Sequence, residues 1–261
     1  MRILVIGAKG FIGQHLTRAL EADGHDMTTV GKGDILPNVF FDAVIDCNGD
    51  ARRFWAGENP KDSFDVTVAA TAQRVLALKT KVYVYLSTVD IYGTGRSAQA
   101  TSREDAPIDI KGLDTYGFHK LMAERLVAFH APSHVILRLG TVIGPGLKKN
   151  PVYDATHGLP IRQTKDSTLT LIDLETIAKA MRALLVQEAR GIFNLTAKAS
   201  LGVGEMIETV ARHQGSKGSD FVFHPDLLHT DYDVNVEAIE HFLSLPSSLA
   251  MLDTYLEGLR A

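Results

Sequence analysis

The feature that most constrains this chain stands at its start, where five residues of strand, Arg2–Ile6, run straight into Gly7-Ala8-Lys9-Gly10-Phe11-Ile12-Gly13 and a helix. Gly7 permits a tight turn, Gly10 lets backbone approach a pyrophosphate, and Gly13 lets helix and strand pack closely. The helix that follows, with Phe11 and Ile12 in its first turn, offers unpaired N–H groups and a partial positive charge to phosphate. Glycine-rich turns also arise wherever a strand must enter a helix sharply. This one gains meaning from its place at the first βα junction, where dinucleotide-binding sheets hold their phosphates.

Further along, apolar runs alternate with amphipathic ones. The pattern predicts strands over 2–6, 27–30, 43–47, 82–87, 135–139, 168–172 and 191–195. Helices are predicted over 11–22, 64–78, 116–130, 175–186, 204–211, 238–243 and 247–259. Strand and helix in alternation specify an α/β fold, a Rossmann doubly wound parallel sheet with a small C-terminal substrate-binding lobe. The division expected is 1–145 and 163–200 for the cofactor-binding domain, and 146–162 and 201–261 for the lobe. Between Val30 and Ala43 the chain is too short for the usual helix, strand and helix. Either the sheet lacks a strand there, or 35–40 supplies a vestigial one.

Composition removes several functions. A formal net charge of −4 over 261 residues gives no basic face for nucleic acid. One cysteine, Cys47, cannot form an internal disulfide, and no Cys/His spacing suits a metal, so no metal site is expected. The start does not read as a signal peptide, and no apolar run reaches membrane-spanning length. A reducing cytoplasm and no membrane partner are the corresponding expectations.

Tyr116 and Lys120 stand four apart on a predicted helix and share a face. An adjacent ammonium favours the phenolate and would make the phenol an acid/base near neutral pH. Ser87-Thr88 ends a strand at the carboxyl edge of the sheet, where open α/β sheets bind ligands. Asp90 is either a pocket carboxylate or a solvated turn residue. Arg52, Arg53 and Trp55 either grip an anionic, sugar-bearing ligand or form a basic turn with Trp55 packed beneath. His119 lies inside the Tyr116–Lys120 turn and receives no chemical role. No Gly-x-Ser-x-Gly elbow occurs.

Four segments occur in order: Gly7–Gly13; Leu86-Ser87-Thr88-Val89-Asp90-Ile91-Tyr92-Gly93; Tyr116-Gly117-Phe118-His119-Lys120; and Leu137-Arg138-Leu139-Gly140-Thr141-Val142-Ile143-Gly144-Pro145-Gly146. Together they resemble the extended short-chain dehydrogenase/reductases of the NAD-dependent epimerase/dehydratase family. The resemblance implies that Thr88 orients the substrate, Tyr116 is the acid/base, and Lys120 binds the nicotinamide ribose and tunes Tyr116. It also implies that the loop carrying Arg52 and Arg53 reaches the sugar, and that two copies pair through the helices over 64–78 and 116–130. Val75, Leu78, Leu121 and Phe129 are the apolar positions named for that homodimer.

The departures from the family pattern narrow the reading. The acidic residue expected at the end of strand two is Gly31, followed by Lys32. Loss of a carboxylate with gain of a cation favours NADP(H) over NAD(H), unless Lys32 is an ordinary loop lysine. Thr67 stands where an asparagine that braces the strands is expected. Val89 replaces the first of two acids that dehydratases carry, which argues against 4,6-dehydration. The insert after Gly146 that closes over a nucleotide is short, and Thr141 replaces an asparagine that contacts the diphosphate, leaving Lys148 and Lys149 as sources of phosphate charge. The combined reading is an NAD(P)-dependent oxidoreductase on a sugar or nucleotide-sugar, with reduction of a keto-sugar leading and a nucleotide-sugar epimerase with retained NAD as alternative. A non-catalytic NAD(P)-binding sensor is the third reading, and the joint presence of Thr88, Tyr116 and Lys120 speaks against it.

Overall fold

The computed structural model describes residues 1–49, 51–93, 95–96 and 99–260. The chain divides into two compact units: 1–93, 107–139 and 177–193 form the first, and 94–106, 140–176 and 194–261 the second. The second unit therefore takes in 94–106, which the sequence-based division gave to the first.

In the first unit, β1 (Arg2–Ile6), β2 (Asp26–Val30), β3 (Phe40–Asp46) and β4 (Lys79–Thr88) lie parallel. Strands His134–Leu139 and Gly191–Leu195 complete a six-stranded sheet. From one edge the order is 191–195, 134–139, β4, β3, β1, β2. β3 pairs directly with β1, Ile3 opposite Ala43 and Ile6 opposite Asp46. The sheet thus lacks a strand between β2 and β3. Residues 35–39 form none, because Ile35 is 93 % exposed and offers its apolar side chain nothing to pack on.

Helix α1 (Phe11–Ala22) buries Leu16 and Leu20. The stretch expected as one helix over 64–78 starts earlier and is broken into α2 (Arg53–Glu58), α3 (Pro60–Phe64), a π-helical turn (Asp65–Ala69) and α4 (Ala70–Ala77). Pro60 explains the first break, since it cannot donate to a helix already running and is suited to open a new one. Arg53 is consequently the first residue of a helix and not part of a loop. Thr67 lies buried in the π-helical turn.

Helix α5 (Thr115–His130) buries Ala123 and Val127 in a core shared with Val75, Leu78, Phe41, Tyr83, Tyr85 and Ile136. Val75, Leu78 and Leu121 are therefore spent on the chain's own interior, and of the four positions named for a dimer only Phe129, 83 % exposed, stands outside.

In the second unit, the strand expected over 168–172 is two: Thr168–Leu169 pairs antiparallel with Leu201–Gly202, and Leu171–Asp173 runs parallel to Thr141–Ile143. Helices Pro151–Thr156, Val203–Gln214 and Ser248–Gly258 complete it. Among the described residues no helix is long and apolar enough to cross a membrane.

Candidate active site

The site is built at the carboxyl edge of the parallel sheet, where β1 and β4 end. After β1 the chain turns so tightly that a Cβ on Gly13 would lie 2.2 Å from the Gly7 carbonyl oxygen. Only glycine fits there, and the close approach sets the first turn of α1 against the strand end. No acidic side chain occupies that turn, and no side chain caps it. Its amide groups are the natural seat of a pyrophosphate.

A groove of about 650 Å³ runs from this turn, lined among others by Gly7, Val30, Lys32, Asp34, Gly49 and Arg74. Position, glycine cradle and size all fit a dinucleotide. Lys32 lines the groove. Asp34, which the sequence reading passed over, lines it too. Its carboxylate accepts the Gly31 N–H at 2.7 Å, so a turn through Gly33 brings an acid back to the end of β2. The sequence signal was Gly-Lys-Gly-Asp, in which an aspartate three residues after a glycine closes a turn. Arg52 also lines the groove, its guanidinium stacked 4.3 Å over the Trp55 ring.

Thr88 ends β4 buried, and its hydroxyl accepts the Asp90 N–H at 3.1 Å, capping the turn Val89–Tyr92. The phenol of Tyr116, at the second position of α5, lies close enough to this hydroxyl for Thr88 to favour its ionised form. Lys120, one turn further on, is buried; its ammonium donates to the Tyr85 hydroxyl at 3.0 Å and the Leu86 carbonyl at 2.6 Å. The ammonium lies beside Gly49, a residue of the groove's lining: a Cβ added to Gly49 would stand 3.6 Å from Nζ. Ser87 keeps a buried hydroxyl with no partner among the described residues.

The electrostatics differ from the simple reading. The Tyr116 phenol is pushed up, not down: burial contributes most, then the Asp90 carboxylate, while the Thr88 hydrogen bond pulls the other way. Lys120 is lowered to about 8, mainly by burial, with Asp46 and Glu124 opposing. Its ammonium is turned to Tyr85, so Tyr116 is instead surrounded by Asp90, Asp114 and Arg53. Arg53 pairs with Asp114 and stands 3.8 Å from Asp90, whose side chain is about one-fifth exposed. His119 is buried, hydrogen-bonded through Nδ1 to Ser63 at 2.9 Å, and braces α3 against α5.

Thr141 and Lys148 belong to the second unit. Thr141 opens the strand Thr141–Ile143, its N–H donating to the Thr170 carbonyl at 2.7 Å, and Lys148 is exposed. Among the described residues no group of three or more His, Cys, Asp and Glu side chains is placed to hold a metal.

These features define a dinucleotide-binding α/β protein with a tyrosine, a lysine and a threonine at the sheet edge. Residues 3–172 match the family described as NAD dependent epimerase/dehydratase, and the chain belongs to it. Solved structures share the fold over essentially the whole chain. The UDP-glucuronic acid 4-epimerase of Bacillus cereus, solved with UDP-glucuronic acid and NAD, superposes at a TM-score of 0.81 with 21% identity, covering 98% of this chain and 97% of its own. TunA, an NAD-dependent NDP-hexosamine 5,6-dehydratase, gives 0.85 and 19%, covering 100% and 98%. A dTDP-4-dehydrorhamnose reductase of Clostridium acetobutylicum gives 0.80 and 16%, covering 100% of both chains. No curated protein matches the chain in sequence.

Proposed function

We propose that this protein reduces a ketone on a nucleotide-activated sugar, with Tyr116 as proton donor. The observation that carries the reading is the gathering of Thr88 and Tyr116 at the end of β4, with the Lys120 ammonium one helical turn away beside Gly49. The dinucleotide, when bound, supplies the hydride. The Thr88 hydroxyl holds the carbonyl oxygen of the substrate, and Tyr116 gives its proton to that oxygen as it becomes an alkoxide. A phenol kept protonated by burial and by Asp90 is in the state this step requires. Lys120, Gly7, Gly10, Phe11, Ile12 and Gly13 would hold the dinucleotide; within the first unit, Asp90 and Arg52 are the candidate substrate contacts. Structures of this fold include an epimerase, a dehydratase and a reductase that carry nucleotide sugars in their names. Loss of one strand and its helices between β2 and β3 leaves the adenosine side flanked by an exposed loop, which suits a cofactor that exchanges at each turnover more than one retained through epimerisation.

Tyr116→Phe should lower turnover of a nucleotide-diphosphate keto-sugar by about two to four orders of magnitude while dinucleotide affinity persists. Near-normal turnover in that variant removes Tyr116 from the chemistry.

For the cofactor, Asp34 outweighs Lys32. A carboxylate returned to the end of β2 accepts the ribose 2′-hydroxyl of NAD(H) and repels the 2′-phosphate of NADP(H). Calorimetric titration should show NADH binding the tighter, and Asp34→Ala should shift the preference toward NADPH. Tighter NADPH binding by the unmodified protein would restore the choice first drawn from Gly31 and Lys32. A homodimer, on this reading, rests on exposed Leu76 and Phe129 rather than on the buried positions.

A further inference from the structure

The surroundings of Arg53 are made of the chain's own carboxylates. It opens α2, and its Nε donates to the carboxylate of Asp114. Asp114 is the N-cap of α5: its other oxygen accepts the Gly117 N–H at 2.8 Å. One carboxylate thus ties Arg53 to the first turn of the helix that carries Tyr116. The third member is Asp90, whose carboxylate lies 3.8 Å from the Arg53 Nη1.

Backbone packing makes this arrangement tight. A Cβ on Gly117 would stand 2.8 Å from the Asp90 carbonyl oxygen, so the first turn of α5 presses directly on the turn that follows Thr88. The N–H of Asp90 in turn donates to the Thr88 hydroxyl. Three elements, the start of α2, the turn Val89–Tyr92 and the start of α5, therefore meet around Tyr116, joined by one guanidinium between two carboxylates.

We infer that Arg53 is a positioning residue: with Asp114 and Asp90 it pins the start of α5 against the end of β4 and sets the proton affinity of the Tyr116 phenol. The groups facing that phenol are Asp90 from the turn, Asp114 from its own helix, Arg53 from α2 and the Thr88 hydroxyl from β4, with Tyr85 nearby on the same strand. Two carboxylates favour the neutral phenol; the guanidinium favours the phenolate. The interior reached by these side chains is partly shielded, with Arg53 and Asp90 about one-fifth exposed, so their charges act with less screening than at a free surface. Arg53 consequently limits how firmly the two acids hold the proton, and Asp114 would be a bare carboxylate beside the phenol without it.

The inference rests on Tyr116 being the proton donor, and its test is independent of turnover. A difluorotyrosine at position 116 of the full chain ionises in an accessible pH range and reports its titration by fluorine NMR. Asp90→Asn should lower the midpoint and Arg53→Gln should raise it, each by about one pH unit, the lower end of what a neighbouring charge does. Arg53→Lys, which keeps the cation, should return most of the Arg53→Gln shift and also serves if the glutamine variant does not fold. Midpoints that do not move, or that move the same way in Asp90→Asn and Arg53→Gln, overturn the inference. Loss of the proton-donor reading itself would show elsewhere, as full turnover in Tyr116→Phe, with the titration shifts intact.

Discussion

Two buried cations, Lys120 on α5 and Arg138 on the strand His134–Leu139, are treated in opposite ways. Arg138, 1 % exposed, meets the carboxylate of Glu124 through Nε and Nη2, the latter at 2.9 Å, and gives Nη1 to the Tyr92 hydroxyl at 2.8 Å. Burial works against its charge, but Glu124 and Tyr92 work harder, and the guanidinium is raised above its ordinary value. Lys120 is buried to a similar degree and, among the described residues, donates to a hydroxyl and a carbonyl and lies over the Tyr85 ring. Its nearest carboxylates act at a distance, burial wins, and its ammonium is held less firmly. A buried cation with its counterion in contact is architecture. A buried cation held by neutral acceptors is poised to exchange partners, and this one lies beside Gly49, which lines the groove. Arg74 follows the first pattern, donating to Asp46 at 2.8 Å while Tyr83 donates to the same oxygen at 2.7 Å.

The comparison breaks most visibly at Glu124. Glu124→Ala leaves the Arg138 guanidinium buried without its counterion and should cost about 3–5 kcal/mol, whereas Glu124→Leu with Arg138→Met should recover most of that. Urea denaturation measures both, and a single-variant cost below about 1 kcal/mol would end the claim that this pair is structural.

Lys120 should respond in the other direction. Its folded pKa of about 8 lies below the 10.5 of the unfolded chain, so the unfolded state holds the extra proton between those values. The cost of burying the ammonium is therefore full below pH 8 and disappears as pH rises toward 10.5. Lys120→Met should stabilise the fold by up to about 3 kcal/mol at pH 7, with the gain shrinking through that window while turnover is lost. Thermal melts at pH 7 and pH 10 decide it; a destabilised variant at pH 7 would place Lys120 with Arg138.

The smallest effect compares two hydroxyls. Tyr92→Phe removes an acceptor from a cation that stays charged and should cost about 1.5 kcal/mol at every pH from 6 to 10. Tyr85→Phe should cost less, and its cost should fade above pH 8 as the Lys120 ammonium deprotonates. Equal and pH-independent costs would mean that the two cations are held alike.

Much of this was legible from local pattern. The strand–glycine–helix opening, the parallel sheet, and the sheet-edge placement of Thr88, Tyr116 and Lys120 follow from alternation and spacing, which local physics fixes. The partners of those side chains were not legible. Four-residue spacing puts Tyr116 and Lys120 on one face of α5, but it does not say that the ammonium finds Tyr85 and Leu86 on β4, 34 and 35 residues earlier. Nor does it say that Arg53 reaches Asp114, 61 residues later.

By itself, the sequence determined the fold class, the glycine turn after β1 and the placing of Tyr116 and Lys120 on one helix, because periodicity and glycine sterics act over a few residues. Tertiary structure alone decided the charge states. It folded Asp34 back to the end of β2, set Arg53 between two acids, and turned the Lys120 ammonium to Tyr85 and Leu86. Those outcomes depend on burial and on neighbours distant in the chain, and the free energy of a charge is set by what surrounds it in space.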